Sequence, residues 1–468
     1  MTQSSTPLRP SRSPLRLFTD IRAGEEKSAL LLLANVFLVL CAYYFVKPIR
    51  EGWIAVSDIE GFSKVEVKAY SSFFQVIILI PAVALYGRLS ERWSRRDLIT
   101  RATLFFMSNM VIFWFLQPNF FVANLPFTGI AFYLWVGMFG VFIVAQFWSF
   151  AADLYSDAVG RRLLPLIAIG ATAGGAFGAT ITGWLVDSGW VGADWLLLVA
   201  LVPLGLSIVF TRVVDAREGG ATRSIESASP EEDEAPPEPK GPSGMSVIFS
   251  SRFLLSVALI TLLVNWVNTN GENLLYWVLQ DFIEHEALAR GLIGDIALAD
   301  FTRQETTVFY AGFFGTVNWV ALILQSFVAS RLLRYGGFGA LLLLMPVVAL
   351  ISYSTMALVG TLAVVRTMKI AENATDYSIN NTARNVLWLP VPSSQVFKAK
   401  PTIDTVGARI GDGLAALTVL VGVNLLALPV AKFFALNIGL VFLWLAFSFV
   451  VIRQHRLLSE AGDADAVA

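Results

Sequence analysis

Two stretches of the chain set charged residues inside otherwise apolar sequence. Lys47, Arg50 and Glu51 follow the mainly apolar run 29–46, and the apolar pattern resumes at Trp53-Ile54-Ala55-Val56. Lys47 and Arg50 are three apart and share one face of a helix. A basic side chain at mid-bilayer costs about 3 kcal/mol on insertion scales, so it turns toward a cavity or a partner. One reading is a clamp for an anion, since ammonium and guanidinium groups bind phosphate and carboxylate well. The other is an interfacial anchor whose side chains reach out to the headgroups, with Pro48 ending the helix.

The second stretch holds Arg366, Lys369, Glu372, Asp376 and Arg384. Lys369 and Glu372 stand at helical spacing and can neutralise each other. Across both stretches, five basic groups face three acidic ones (Glu51, Glu372, Asp376), an excess of two positive charges. That surplus suits a small anionic substrate. Purely structural pairing is the alternative. Glu272, near Asn268, Asn270 and Asn273, adds a further polar segment. It reads either as a substrate or proton contact, or as hydrogen bonding between helices.

The elements that must position these residues follow from composition. Of 468 residues, 56% are hydrophobic and 15% charged, and the mean hydropathy is +0.66. A soluble domain carries roughly a quarter charged residues. Most of the chain therefore belongs in a lipid bilayer. A span needs about 20 mainly apolar residues. On that measure spans fall near 28–56, 66–87, 98–117, 127–152, 163–187 and 194–214, then near 247–283, 305–333, 338–359, 361–390, 402–426 and 430–452. The expected fold is all-α, with twelve transmembrane helices in two six-helix bundles over 27–214 and 247–456. The first expected span would measure about 43 Å as a helix against a core of about 30 Å, which leaves its charges within the span. Residues 1–26 and 457–468 read as polar tails. The segment 215–246, with five prolines and the run Glu231-Glu232-Asp233-Glu234, reads as a disordered linker.

Charge asymmetry orients the spans. Arg88, Arg92, Arg95 and Arg96 follow the second, Arg161 and Arg162 the fourth, Arg331 and Arg334 the eighth, Lys398 and Lys400 the tenth, and Arg453 and Arg456 the twelfth. The segments 118–126 and 188–193 hold no Lys or Arg. Both termini and the linker are expected in the cytoplasm, and the protein in a bacterial inner membrane. With 34 basic against 35 acidic residues, the chain is no general nucleic-acid binder. The single cysteine, Cys41, excludes an intramolecular disulfide, and two distant histidines, His285 and His455, offer no metal site or catalytic triad. No cofactor and no enzymatic activity are expected. Gly170-Ala171-Thr172-Ala173-Gly174-Gly175-Ala176-Phe177-Gly178 lacks the Gly-Lys-Ser/Thr ending of a phosphate loop and reads as close helix packing.

The segment Gly87-Arg88-Leu89-Ser90-Glu91-Arg92-Trp93-Ser94-Arg95-Arg96 resembles the cytoplasmic signature of the major facilitator superfamily, with Glu91 in place of Asp and Ser94 in place of the second Gly. A narrower resemblance is to the ATP/ADP translocase, or nucleotide transporter, family. It rests on Tyr43 to Glu51, on Phe147-Trp148 with Ala152-Asp153, on Arg161-Arg162 with Pro165, and on the order Asp376-Tyr377-Ser378, Arg384, Leu389-Pro390, Lys398-Ala399-Lys400, Ile403-Asp404. Asn385 stands where that family has an acidic residue after the basic one, Val136 stands near another acidic position, and Gly411-Asp412-Gly413 replaces a Gly-Lys-Ser step.

The resemblance implies a secondary carrier that works by alternating access on a nucleotide or related phosphorylated anion, by exchange or with protons as coupling ion. A non-nucleotide organic anion or amphiphile is the alternative substrate, and a non-transporting membrane scaffold the alternative of another class. Lys47, Arg50, Glu51, Glu272, Lys369, Asp376 and Arg384 would line the substrate site. Glu91, Arg92, Arg95, Asp153 and Arg161 would form a cytoplasmic charge latch, with Lys398, Asp404, Arg409 and Asp412 as its counterpart in the second half.

Overall fold

The computed structural model describes residues 25–118, 120, 127–155, 157–226, 244–292 and 294–467. Among them every regular element is helical. In the first half the main helices are α1 (Glu26–Ala55), α2 (Lys64–Arg92), α3 (Arg95–Phe115), α4 (Thr128–Leu154), α5 (Asp157–Asp187) and α6 (Leu201–Glu226). A short helical lead-in, Ala193–Val199, precedes α6. The second half has α7 (Gly244–Ser250), α8 (Arg252–Ala289), α9 (Asp295–Ile323), α10 (Ala329–Leu358), α11 (Leu362–Thr375), α12 (Asn381–Val386), α13 (Ser393–Thr402), α14 (Ala408–Leu420) and α15 (Val430–Val467).

The fold is an all-α membrane architecture. Among the described residues, ten helical stretches are long and apolar enough to cross a bilayer. One of them, Ile296–Leu358, covers the eighth and ninth expected spans. They are separated at Gly337, whose φ of 69° suits a residue without Cβ. The tenth expected span is not among the ten, because its charges lower its hydropathy. It is helical all the same, in α11 and α12. The expected linker is also shorter at its start: α6 continues through positions 215–226, while 227–243 lie outside the described residues.

The described residues pack as two compact units. One takes residues from 1–51, 81–235 and 307–315, the other from 52–80, 236–306 and 316–468. The division departs from the two expected bundles, since 52–80 belongs with second-half helices and 307–315 with first-half helices.

In the first unit, α1 and α5 lie backbone to backbone. A Cβ on Gly170 would stand 2.6 Å from the Leu33 carbonyl oxygen, and one on Gly178 2.6 Å from that of Cys41. Gly174 meets Phe37 in the same way. These contacts recur every four residues on both helices, so the glycine stripe serves close packing. In the second unit, four single turns have the wider i→i+5 pattern of a π-helix: Leu324–Val328, Asp376–Asn380, Ile403–Gly407 and Val421–Leu425. Such turns re-aim the side chains they carry and are frequent at functional sites. Large apolar side chains on the outer faces, such as Ile80, Phe105 and Phe449, are mostly exposed, as lipid-facing residues would be.

Candidate functional site

The first charge cluster lies on α1. Its helix carries Tyr43, Tyr44 and Lys47 on neighbouring turns, and Phe314 of α9 completes the surroundings. The Lys47 Nζ is 3.9 Å from the centre of the Phe314 ring, 5.2 Å from that of Tyr44 and 5.8 Å from that of Tyr43. Tyr44 and Phe314 meet edge to face at 5.9 Å, and Tyr43 and Tyr44 at 5.3 Å. Among the described residues Lys47 makes no hydrogen bond and no ion pair. Ring faces attract a cation through their quadrupole but carry no net charge. Among the described residues Lys47 is therefore held by ring faces without being neutralised.

Arg50 differs, although it is one turn away. Its guanidinium lies 4.5 Å from the centre of the Tyr133 ring of α4. Its Nε donates to Glu51 Oε1 at 3.0 Å, and a terminal N–H donates to the same oxygen. Glu51 is 1% exposed. The Arg50–Glu51 pair is locally neutral.

The second cluster belongs to the other unit and is built by α8, α10, α11 and α15. Lys369 and Glu372 are both fully buried. The Lys369 Nζ donates to Glu372 Oε2 at 2.9 Å and to Asn268 Oδ1 at 3.0 Å. The other Glu372 oxygen lies 3.0 Å from the Tyr353 hydroxyl, which is also 3.0 Å from the Val267 carbonyl. Gly271 lets this happen: a Cβ there would meet the Tyr353 hydroxyl and sit 2.9 Å from the Lys369 Nζ. Asn373 Nδ2 donates to Glu272 Oε1 at 2.6 Å, and Asn270 Nδ2 to Asn437 Oδ1 at 2.6 Å. Asp376 accepts from Asn380 Nδ2 at 2.6 Å inside the π turn. The polar residues of the seventh and tenth expected spans thus bond to one another. Glu272 is thus hydrogen-bonded between helices, and Lys369 is paired with Glu372 on its own helix.

Arg384 pairs with Asp404 at 2.8 Å, with side chains 45% and 36% exposed. A residue expected in the substrate site and one expected in the latch are therefore each other's partners. Asp412 is engaged by its own neighbours, accepting from Arg409 at 3.0 Å and from the Thr269 hydroxyl at 2.7 Å. Lys398 forms no ion pair among the described residues. In the first-half latch, Arg92 and Asp153 are exposed. The side chains of Glu91, Arg95 and Arg161 lie outside the described residues. The neighbouring Arg162 binds Glu25 at 2.9 Å.

Several participants are not marked by the sequence. Tyr353 carries no pattern that singles it out. Asn437 is a lone amide in an apolar span, a signal that does point to a bond between helices. On α2, Glu66 is 3% exposed and accepts from the Ser63 backbone N–H at 2.8 Å, the Ser63 hydroxyl at 2.6 Å and Asn424 Nδ2 at 2.6 Å. The Ser63-x-x-Glu66 spacing is that of a capping box, so the local half of this arrangement is visible in the sequence. Lys68, 4% exposed, has its Nζ 4.3 Å from the centre of the Tyr276 ring.

No protein-family model matches the chain, and no curated protein does. Solved structures match along nearly its whole length. The POT family transporter PepTSo superposes with a TM-score of 0.61 at 12% identity, over 92% of this chain and 98% of that one. The nucleoside transporter NupG gives 0.57 at 13%, over 92% and 99%. The human organic anion transporter MFSD10 gives 0.54 at 13%, over 91% and 100%. The chain has the fold of these major facilitator transporters.

Proposed function

We propose that the chain is a secondary carrier for a small organic anion, working by alternating access, with Lys47 as the cation that meets the negative charge. The observation that carries this reading is the state of Lys47. Arg50, Lys369 and Arg384 each have a carboxylate partner, whereas among the described residues Lys47 has only ring faces. A scaffold gains nothing from keeping a cation unneutralised within an apolar helix, since that position is costly. A carrier needs it, because substrate binding then supplies the missing charge.

A nucleotide or related phosphorylated anion is the narrower reading, and its support is the motif resemblance of the first and tenth spans. One uncompensated cation suits a singly charged carboxylate or phosphate ester better than a polyphosphate. Once Asp404 and Glu272 are counted with the other acids, the surplus of two positive charges disappears, and Asp404 holds Arg384.

Thermal-shift screening of the purified protein against nucleotides, sugar phosphates and organic acids identifies the substrate class. Uptake into proteoliposomes then tests the role of Lys47. Lys47→Ala should cut uptake sharply and move the substrate-induced shift to roughly 10–100-fold higher ligand concentration, while the folded protein remains in the membrane. Unchanged uptake would remove Lys47 from the mechanism. Counterflow and pH-jump uptake distinguish exchange from proton coupling.

A further inference from the structure

The first unit carries a second feature unrelated to Lys47. Faces of α2, α3 and α4 enclose a groove of about 410 Å³. Leu85, Leu89, Phe105, Phe106, Trp135 and Phe142 are among the apolar residues of its wall. Leu85 is 57% exposed and Phe105 60%, so the groove opens on the outer, apolar surface of helices long enough to span a bilayer. Trp93 and Arg101 line the groove beside the turn between α2 and α3, with the guanidinium 4.6 Å from the centre of the Trp93 ring. Among the described residues Arg101 has no carboxylate partner. The nearest acid on its own helix, Asp97, is tied to the helix start. It accepts from the Ser94 hydroxyl at 2.8 Å, and its backbone N–H donates back to that oxygen at 3.2 Å. Arg88, Arg92 and Arg96 stand exposed around the same turn between α2 and α3.

An apolar groove with a cation beside the turn between two spans has the polarity of a phospholipid. We propose that this groove is a binding site for an anionic membrane phospholipid, with an acyl chain along Leu85, Leu89 and Phe105 and the headgroup phosphate on Arg101. Basic pockets between spans at the membrane surface recognise anionic headgroups by charge, while the hydrocarbon walls accept any chain of suitable length. Trp93 orients the guanidinium and marks the interfacial level, as an amphipathic ring does. The neighbouring arginines add attraction that weakens with salt.

The test uses delipidated full-length protein in detergent, with phosphatidylglycerol and phosphatidylcholine of identical acyl chains as probes, read by native mass spectrometry and by thermal stability. The wild type should retain phosphatidylglycerol in preference to phosphatidylcholine, and the preference should fall as salt rises. Arg101→Gln should lower that preference about fivefold, the equivalent of one basic contact at an anionic surface. Ala102→Trp, which fills the groove, should reduce retention of both lipids. Equal retention of the two lipids by the wild type would overturn the proposal, and that comparison needs no variant to fold. A preference that survives both substitutions would overturn it as well, by placing the lipid elsewhere.

Discussion

The α1 cluster and the α11 cluster begin from the same problem, a lysine inside an apolar span, and solve it in opposite ways. Lys369 is sealed from solvent and bonded to Glu372, whose other oxygen is bonded to Tyr353. Lys47 is half-buried and surrounded by rings. In the first arrangement the charge is cancelled and the residue holds helices together. In the second the charge is supported by ring faces and, among the described residues, not cancelled, which is the feature the proposed anion site uses. The difference teaches that a buried cation says little about function until its partner is known.

Loss of a partner should separate the two regions most sharply. Glu372→Ala leaves Lys369 buried and unpaired, which should destabilise the protein by about 3–5 kcal/mol. Thermal unfolding in detergent measures this, and a change below about 1 kcal/mol would mean that water or another group reaches Lys369. Lys47→Ala should reverse the pattern. Removing a charge-assisted contact to substrate should weaken binding by roughly 10–100-fold, while stability changes by no more than about 1 kcal/mol. Lys47→Arg, which keeps the charge but changes its shape, should recover part of the uptake.

Two further variants sharpen the comparison at smaller scale. Glu66→Ala removes half of a capping box and the acceptor for Asn424, at a cost of about 1 kcal/mol in thermal unfolding. That loss should stay well below the loss caused by Glu372→Ala, because no charge is left buried without a partner. Arg384→Ala breaks a pair that is largely exposed, so stability should move by less than about 1 kcal/mol and by less again in high salt. An effect of Arg384→Ala on uptake as large as that of Lys47→Ala would erase the contrast between the clusters, because a paired cation would then matter as much as the caged one.

Much of the architecture is legible in the sequence. The apolar runs that form α1, α4 and α15 exceed the length a bilayer requires, and the glycines of α5 signal a close approach by their four-residue repeat. The tenth expected span is harder, because hydropathy alone does not select it. Its charges are compatible with a membrane helix only when they meet partners on α8 and α10. The end of α6 departs from expectation for a related reason. Polar sequence beyond position 215 can continue a helix into water, so composition does not show where the helix stops.

The amino-acid sequence by itself pointed to an all-α membrane protein, because too few polar side chains are present to cover a soluble surface and the apolar runs are as long as membrane-crossing helices. It also named most of the charged residues inside the spans, since each is conspicuous against an apolar background. The local pairs, Lys369 with Glu372 and Arg50 with Glu51, stand at spacings visible in the sequence, whereas the partners of Arg384 and Lys47 were decided by tertiary structure. Arg50 reaches its neighbour Glu51, Arg384 reaches Asp404 twenty positions on, and Lys47 meets Phe314 from a distant helix. Charge is a property of a residue, but its neutralisation depends on distance in space, and only the packed helices set that distance.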